Sequence, residues 1–205
     1  MAGAFRVGVL ASGEGTNLQA LLDKVHGRAG IEIVAVGSNV AHVPALQRAR
    51  DAGVTARAFP ESDRALRDAA MADWLAERGV DLVVLAGYMQ LLTAVFLARF
   101  PNRVINVHPA LLPAFPGVRA IEQAVAYGVK VFGVTVHFVD EGVDSGPVIF
   151  QRAVELPEPH DARTVHAALQ PIEHDLLPEA VRAIAAGAVR IDPEHPRRVY
   201  VSSDG

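Results

Sequence analysis

The amino-acid sequence predicts an α/β protein: a Rossmann-like, mostly parallel sheet of about seven strands flanked by helices, with an antiparallel strand in the C-terminal half. Three observations carry that prediction. Short β-branched runs alternate with longer amphipathic ones across the N-terminal half, an order that right-handed crossovers turn into a parallel sheet. A glycine-rich turn, ASGEGTN at 11–17, closes the first strand and opens the first helix. Two late β-branched runs are joined only by DEGVDSG, a connection too short for a crossover helix, so they should pair antiparallel.

Each element has its own reason. FRVGVL (5–10) reads as a buried strand, and TNLQALLDKV (16–25) sets Leu18, Leu21, Leu22 and Val25 on one helical face. IEIVAVGS (31–38) is the second strand, VPALQRARDAG the second helix with Gly53 as its stop, and TARAF (55–59) a short third strand. SDRALRDAAMADWLAERG (62–79) is the clearest helix, capped by Ser62 and lined by Leu66, Ala70, Trp74 and Leu75. DLVVLAG (81–87) is the fourth strand, a brief helix covers 93–99, and RVINVH (103–108) is the fifth strand. After a proline-rich loop VRAIEQAVAYG (118–128) is helical, and VKVFGVTVHFVD and PVIFQRAVEL are the two antiparallel strands. The last helix should run from near Asp161 to about Ala188, with a kink or restart at Pro171 and at Pro178. From Asp192 onward the chain reads as an exposed strap.

Composition narrows the function classes. Half of the 205 residues are hydrophobic (51%) and a fifth charged (20%), which is ordinary globular usage. A net charge of −4 without a Lys/Arg cluster gives no basic face for nucleic acid. The absence of cysteine removes disulfides, thiolate metal ligands and Cys nucleophiles together, and fits a reducing compartment such as the cytoplasm. The N-terminus lacks a charged segment before its apolar run and reads as a first strand rather than a signal peptide. LVVLAGYMQLLTAVFLA (82–98) is free of charge but short for a membrane span, and it carries Gly87, Gln90 and Thr93; a buried strand followed by a short helix explains it better.

The first turn is the first candidate site. Gly13 and Gly15 let backbone approach a ligand, the helix N-terminus presents N–H groups, and Ser12, Thr16 and Asn17 add side-chain donors. That combination favours a phosphate; the alternative is a tight turn with a helix cap. A dinucleotide is disfavoured, because the fingerprint's third glycine is missing and the second strand ends in Gly37-Ser38-Asn39 instead of an acid.

Ligands of a parallel sheet collect outside the carboxyl ends of its strands, where Gly13, Ser38, Gly87 and His108 should lie. Alternation puts Asn106 and His108 on one face of the fifth strand. An amide donor beside an imidazole can stabilise an oxygen that becomes negative, and the imidazole can exchange protons. Taken alone, the pair reads more simply as a strand end and a loop cap. Asp144 would bear on His108 if it lay nearby; Asp140 and Glu141 compete for that role, and any of the three could be a turn residue. His137 reads as a buried, hydrogen-bonded strand residue. His26, His42, His160 and His195 fall in helix ends or loops, and His166 and His174 on the last helix. No HExxH motif appears, so no catalytic metal is expected, and no Gly-x-Ser-x-Gly elbow suggests a hydrolase triad.

The segments VLASGEGTNLQALLD, LAGYMQLL, INVHPALLPAFPG, VFGVTVHFVDEGVDSGPVI and QPIEH, in that order between about residues 5 and 188, resemble the folate-dependent formyltransferases. The resemblance is strongest to the branch that acts on glycinamide ribonucleotide in purine synthesis. It implies the formyltransferase fold and transfer of the formyl group of 10-formyltetrahydrofolate to the amine of glycinamide ribonucleotide. By the same resemblance Asn106 and His108 would hold the tetrahedral oxyanion, with Asp144 raising the pKa of His108 and assisting proton transfer. Ala11, Ser12 and Gly13 would take the ribonucleotide phosphate, and Glu173 would lie near the glycinamide end. Arg64, Met89, Gln90, Leu91, Leu92 and Asn106, with the loop Asp140, Glu141, Gly142, Val143 and Asp144, would contact the folate.

The resemblance also implies a division: a single domain over 1–188, with a phosphate-binding half (1–100) and a catalytic, folate-binding half (101–188), then a tail over 189–205. Its partners would be the two small molecules, with no metal, nucleic acid or membrane; a homodimer is compatible with it. Glu14, Thr16 and Gln90 depart from the family's usual residues, and Gln90 is also what the related 10-formyltetrahydrofolate deformylases carry. Those hydrolases usually have a preceding regulatory domain, and the methionyl-tRNA branch a further C-terminal one; neither is expected here. A non-catalytic nucleotide-binding module is disfavoured by Asn106, His108 and Asp144 occurring together.

Overall fold

The computed structural model describes residues 3–158 and 161–202; His160 and the end of the tail, 203–205, lie outside them. The elements follow in the order β1 (Phe5–Leu10), α1 (Thr16–Lys24), β2 (Ile31–Ser38), α2 (Pro44–Asp51), β3 (Thr55–Ala58), α3 (Arg64–Ala76), β4 (Leu82–Leu85), α4 (Ala94–Arg99), β5 (Val104–His108), α5 (Ala120–Tyr127), β6 (Val131–Phe138), β7 (Val148–Glu155), α6 (Ala162–Ala185), β8 (Val189–Ile191) and β9 (Val199–Val201). Seven strands form one sheet in the order β3-β2-β1-β4-β5-β6-β7, and β8 pairs with β9. The α/β class and the single antiparallel pairing of the large sheet, β6 with β7, are as the sequence indicates. The chain forms two compact units, Met1–Asn106 and Val107–Gly205.

In the first unit β1 pairs in parallel with β2 and β4, β2 with β3, and β4 with β5. Val7, Val9 and Leu10 are wholly buried, as expected of a strand covered on both faces. Gly8 lets α3 come close: a Cβ there would stand 2.8 Å from Leu75 Cδ2. The uncharged stretch 82–98 resolves into β4, a loop and α4, and among the described residues no helix is long and apolar enough to cross a membrane.

Helix α3 departs from the expectation in two ways. Its cap is Asp63, whose Oδ1 accepts the Ala65 and Leu66 amides at 2.8 and 3.0 Å, so Ser62 lies outside the helix. Leu66 is 66% exposed, while Arg67 and Asp68 are buried with Met71, Ala72, Trp74 and Leu75. The buried face is therefore rotated onto two charged residues.

In the second unit β6 and β7 pair antiparallel from Val131↔Glu155 to His137↔Val148, with a bulge between Val136 and His137. The Thr135 hydroxyl, fully buried, donates to Ala110 O at 2.7 Å and accepts the Leu112 amide at 3.1 Å, which fastens the proline-rich loop to β6. Helix α6 runs unbroken through Pro171 and Pro178, so the expected restart does not occur. Its buried stripe, Val165, Leu169, Leu176, Leu177, Ala180 and Val181, continues across both prolines, and packing outweighs the lost backbone bonds. The tail is likewise not a strap. Val189–Ile191 and Val199–Val201 form a hairpin whose turn is organised by Asp192, which accepts the Glu194 and His195 amides and the Tyr200 hydroxyl.

Candidate active site

The turn after β1 belongs to the first unit. The Ala11 amide donates to Gly37 O and the Ser12 amide to Gly87 O, both at 3.0 Å, so the ends of β1, β2 and β4 are tied together. The Ser12 hydroxyl is engaged as well, donating to Asn39 Oδ1 at 2.6 Å and accepting the Met89 amide at 2.8 Å. The amides of Gly13, Glu14 and Gly15 have no acceptor among the described residues. Helix α1 has no side-chain cap, so its positive end opens at the same place.

The two loop glycines differ in kind. Gly15 has φ 72°, and a Cβ there would sit 2.8 Å from both Cα and Cβ of Ala45. At Gly13 a Cβ would meet nothing within 4 Å. Arg48 braces the loop from α2, its Nε bonding Glu14 O at 2.8 Å and its Nη1 bonding Gln19 Oε1 at 3.1 Å. Nothing in the sequence pattern singled out Asn39 or Arg48, because both act through contacts distant along the chain.

The loop after β4 carries Met89, Gln90, Leu91 and Leu92. Met89 and Leu91 are 65% and 50% exposed, large apolar side chains left uncovered, while Leu92 is buried. Arg64 begins α3, is exposed, and pairs with no described residue. Asn106, in β5, is half-buried.

The second unit brings three titratable side chains together. His108, buried at the end of β5, sets Nδ1 3.3 Å from Asp144 Oδ2, and its Nε2 lies 2.8 Å from the Phe115 carbonyl. His137 places Nε2 3.5 Å from Asp144 Oδ1 and bonds the Phe138 carbonyl through Nδ1 at 2.8 Å. The Gly117 amide also donates to Asp144 Oδ2, at 2.7 Å. Burial alone would raise the Asp144 carboxyl; the His137 hydrogen bond, the Gly117 amide and the charges of His108 and His137 outweigh it and bring it down to about 2. Asp144 reaches this position with φ 48°, a left-handed conformation that an aspartate tolerates better than most residues.

Of the rival carboxylates, Asp140 is a turn residue: its Oδ1 accepts the Ser145 hydroxyl at 2.6 Å and the Gly142 amide at 3.1 Å. Glu141, Gly142 and Val143 are exposed on the same loop. Glu173 is buried on α6. His137 is buried and hydrogen-bonded as its strand position suggested, but its second nitrogen faces Asp144, which alternation along one strand could not show. Among the described residues no group of three or more His, Asp or Glu is arranged to hold a metal ion.

The formyl transferase family profile matches residues 5–181. Phosphoribosylglycinamide formyltransferase of Mycobacterium tuberculosis (strain CDC 1551 / Oshkosh) is 42% identical over 189 residues, covering 91% of this chain and 87% of that protein. The trifunctional purine biosynthetic protein adenosine-3 of Bos taurus is 40% identical over 203 residues, covering 97% of this chain. The chain spans 20% of that bovine protein, and 14% of its Drosophila melanogaster counterpart. In three dimensions, glycinamide ribonucleotide transformylase 1 from Symbiobacterium toebii superposes with a TM-score of 0.92 at 46% identity, covering 98% of this chain and 95% of that one.

Proposed function

The chain belongs to the formyl transferase family, and from that premise we propose that it moves the formyl group of 10-formyltetrahydrofolate to the amine of glycinamide ribonucleotide, a step of purine synthesis in the cytoplasm. The observation that carries the proposal is the His108 ring held at Nδ1 by Asp144, two residues from Asn106 on the same strand.

In this reading the amine lone pair attacks the formyl carbon, and the carbonyl π electrons move to oxygen. Asn106 donates to that oxyanion, and His108, kept in place by Asp144, stabilises its charge and exchanges the proton. When the intermediate collapses, the carbonyl re-forms, the bond from carbon to the folate N10 breaks, and N10 takes up the proton the amine gives away. The products are formylglycinamide ribonucleotide and tetrahydrofolate.

The remaining roles follow residue by residue. Ala11 and Ser12 shape the loop, and the ribonucleotide phosphate meets the open amides from Gly13 onward. Glu173, buried on α6, serves the glycinamide end. The folate lies against Met89, Gln90, Leu91 and Leu92 and against the loop of Asp140, Glu141, Gly142, Val143 and Asp144; exposed apolar Met89, Leu91 and Val143 support this. Arg64, exposed and with no partner among the described residues, suits the carboxylates of the folate tail.

The test is to mix the protein with 10-formyltetrahydrofolate, with and without glycinamide ribonucleotide. Tetrahydrofolate should appear only with the amine and in step with the formylated ribonucleotide. Release of formate without the amine would make the protein a deformylase instead.

A further inference from the structure

Beneath the loop after β4 lies a polar cluster that the reaction above does not use. Asp68 is completely buried and Arg67 is 6% exposed, an unusual depth for two charged side chains on a helix. Neighbours one apart on a helix do not normally face each other, yet Arg67 Nε and Asp68 Oδ1 are 3.3 Å apart. The other carboxylate oxygen, Oδ2, accepts the Thr93 amide at 2.8 Å. Tyr88, also buried, sits against the pair, near enough for both charges to act on its hydroxyl. Arg67 Nη2, the Tyr88 hydroxyl and Thr93 Oγ1 are buried and complete no hydrogen bond with a described residue.

Burying an ion pair costs more than burying apolar side chains of equal volume, so the pair is poorly explained as a source of stability. Its placement suggests another purpose. The loop Met89–Leu92 has its first amide on Ser12 Oγ, and the amide just after its end, that of Thr93, on Asp68 Oδ2. Between these two anchors the Met89 and Leu91 side chains are 65% and 50% exposed.

We propose that Asp68, oriented by Arg67, is a positioning residue that fixes the far end of the Met89–Leu92 loop and so presents it to the formyl donor. The inference rests on the assignment of that loop to the folate. It separates binding of the two substrates, because Asp68 supports the folate loop and not the open amides at Gly13.

Steady-state kinetics of the full chain tests it. Asp68→Ala should raise KM for 10-formyltetrahydrofolate about tenfold, leave KM for glycinamide ribonucleotide within about twofold, and change kcat little. Asp68→Asn, which keeps an acceptor for the Thr93 amide, should restore most of the folate KM. An unchanged folate KM, or equal rises in both KM values, would overturn the proposal. If Asp68→Ala does not fold, Arg67→Met takes its place, with a folate KM raised about threefold expected and an unchanged one fatal. If the wild-type protein transfers no formyl group, the functional reading fails separately. Calorimetric titration of tetrahydrofolate into wild type and variant then decides, with equal Kd values overturning the role of Asp68.

Discussion

The Asp144 carboxylate faces His108 Nδ1 at 3.3 Å from one oxygen and His137 Nε2 at 3.5 Å from the other. One carboxylate thus orients two imidazoles, of which only His108 shares a strand with Asn106. The His108 ring has an acceptor at each nitrogen, Asp144 on one side and the Phe115 carbonyl on the other, so it is held against rotation. Asp144→Ala should release it, and turnover should fall by about 10²–10⁴-fold, the usual worth of positioned acid–base groups. Ribonucleotide binding should largely survive, because the phosphate is proposed to sit at the Gly13 turn and not at Asp144. Single-turnover rates alongside ligand Kd values check this, and an unchanged rate would remove Asp144 from the chemistry.

The same carboxylate makes stability depend on acid. Its pKa falls from the ordinary 3.8 to about 2 in the folded chain, so the folded state holds the charged form more tightly than the unfolded state does. That contribution is complete above the unfolded value and disappears as pH drops through the folded one. Its size is about 2 kcal/mol, set by the difference between the two values. Urea unfolding of wild type and Asp144→Asn should therefore show a gap at neutral pH that narrows between about pH 4 and pH 2. A gap independent of pH in that window would mean that the carboxylate is not held as described.

How much of this was legible in the sequence depended on whether a residue's role is local. The strands Phe5–Leu10 and Ile31–Ser38 show in their β-branched runs, and Asn106 and His108 share a face by alternation alone. Helix α3 was readable as a helix but not in its orientation: Leu66 was expected inside and is exposed, while Arg67 and Asp68 are inside. An apolar-periodicity rule cannot choose charged residues for a core; here Arg67 pairs with Asp68, and Asp68 also accepts the Thr93 amide of the loop above. Three-residue strands such as Val189–Ile191 are too short to show an alternation, so the tail hairpin leaves no signature in the sequence. The partner of His108 came from family resemblance, since three carboxylates in one loop are equivalent until the turn is folded.

His137 offers a discriminating variant because its buried ring faces Asp144 through Nε2. His137→Phe keeps the bulk while removing one hydrogen bond and one charge from Asp144, so the Asp144 carboxyl should move up toward its ordinary value. Near neutral pH Asp144 still meets His108 and the Gly117 amide, and turnover should fall less than in His108→Ala. Carboxyl titration followed by NMR, with kcat measured in parallel, checks both statements. Equal losses in the two variants would place His137 among the reacting groups.

The glycines of the first turn should separate stability from binding. At Gly15 an added Cβ meets Ala45 backbone at 2.8 Å in a left-handed conformation, with φ 72°, so Gly15→Ala combines a steric clash with backbone strain. Each effect costs about 1–3 kcal/mol, enough for a clear fall in Tm. Gly13→Ala meets no neighbour within 4 Å and should leave Tm almost unchanged. The new methyl instead adds bulk to the turn whose Gly13, Glu14 and Gly15 amides are proposed to take the phosphate. KM for glycinamide ribonucleotide should rise by about tenfold, while the phosphate-free riboside, already weak, should lose little. Thermal melts and paired KM measurements on the two variants supply the check. A Gly13→Ala variant that binds ribonucleotide and riboside with unchanged KM values would move the phosphate away from this turn.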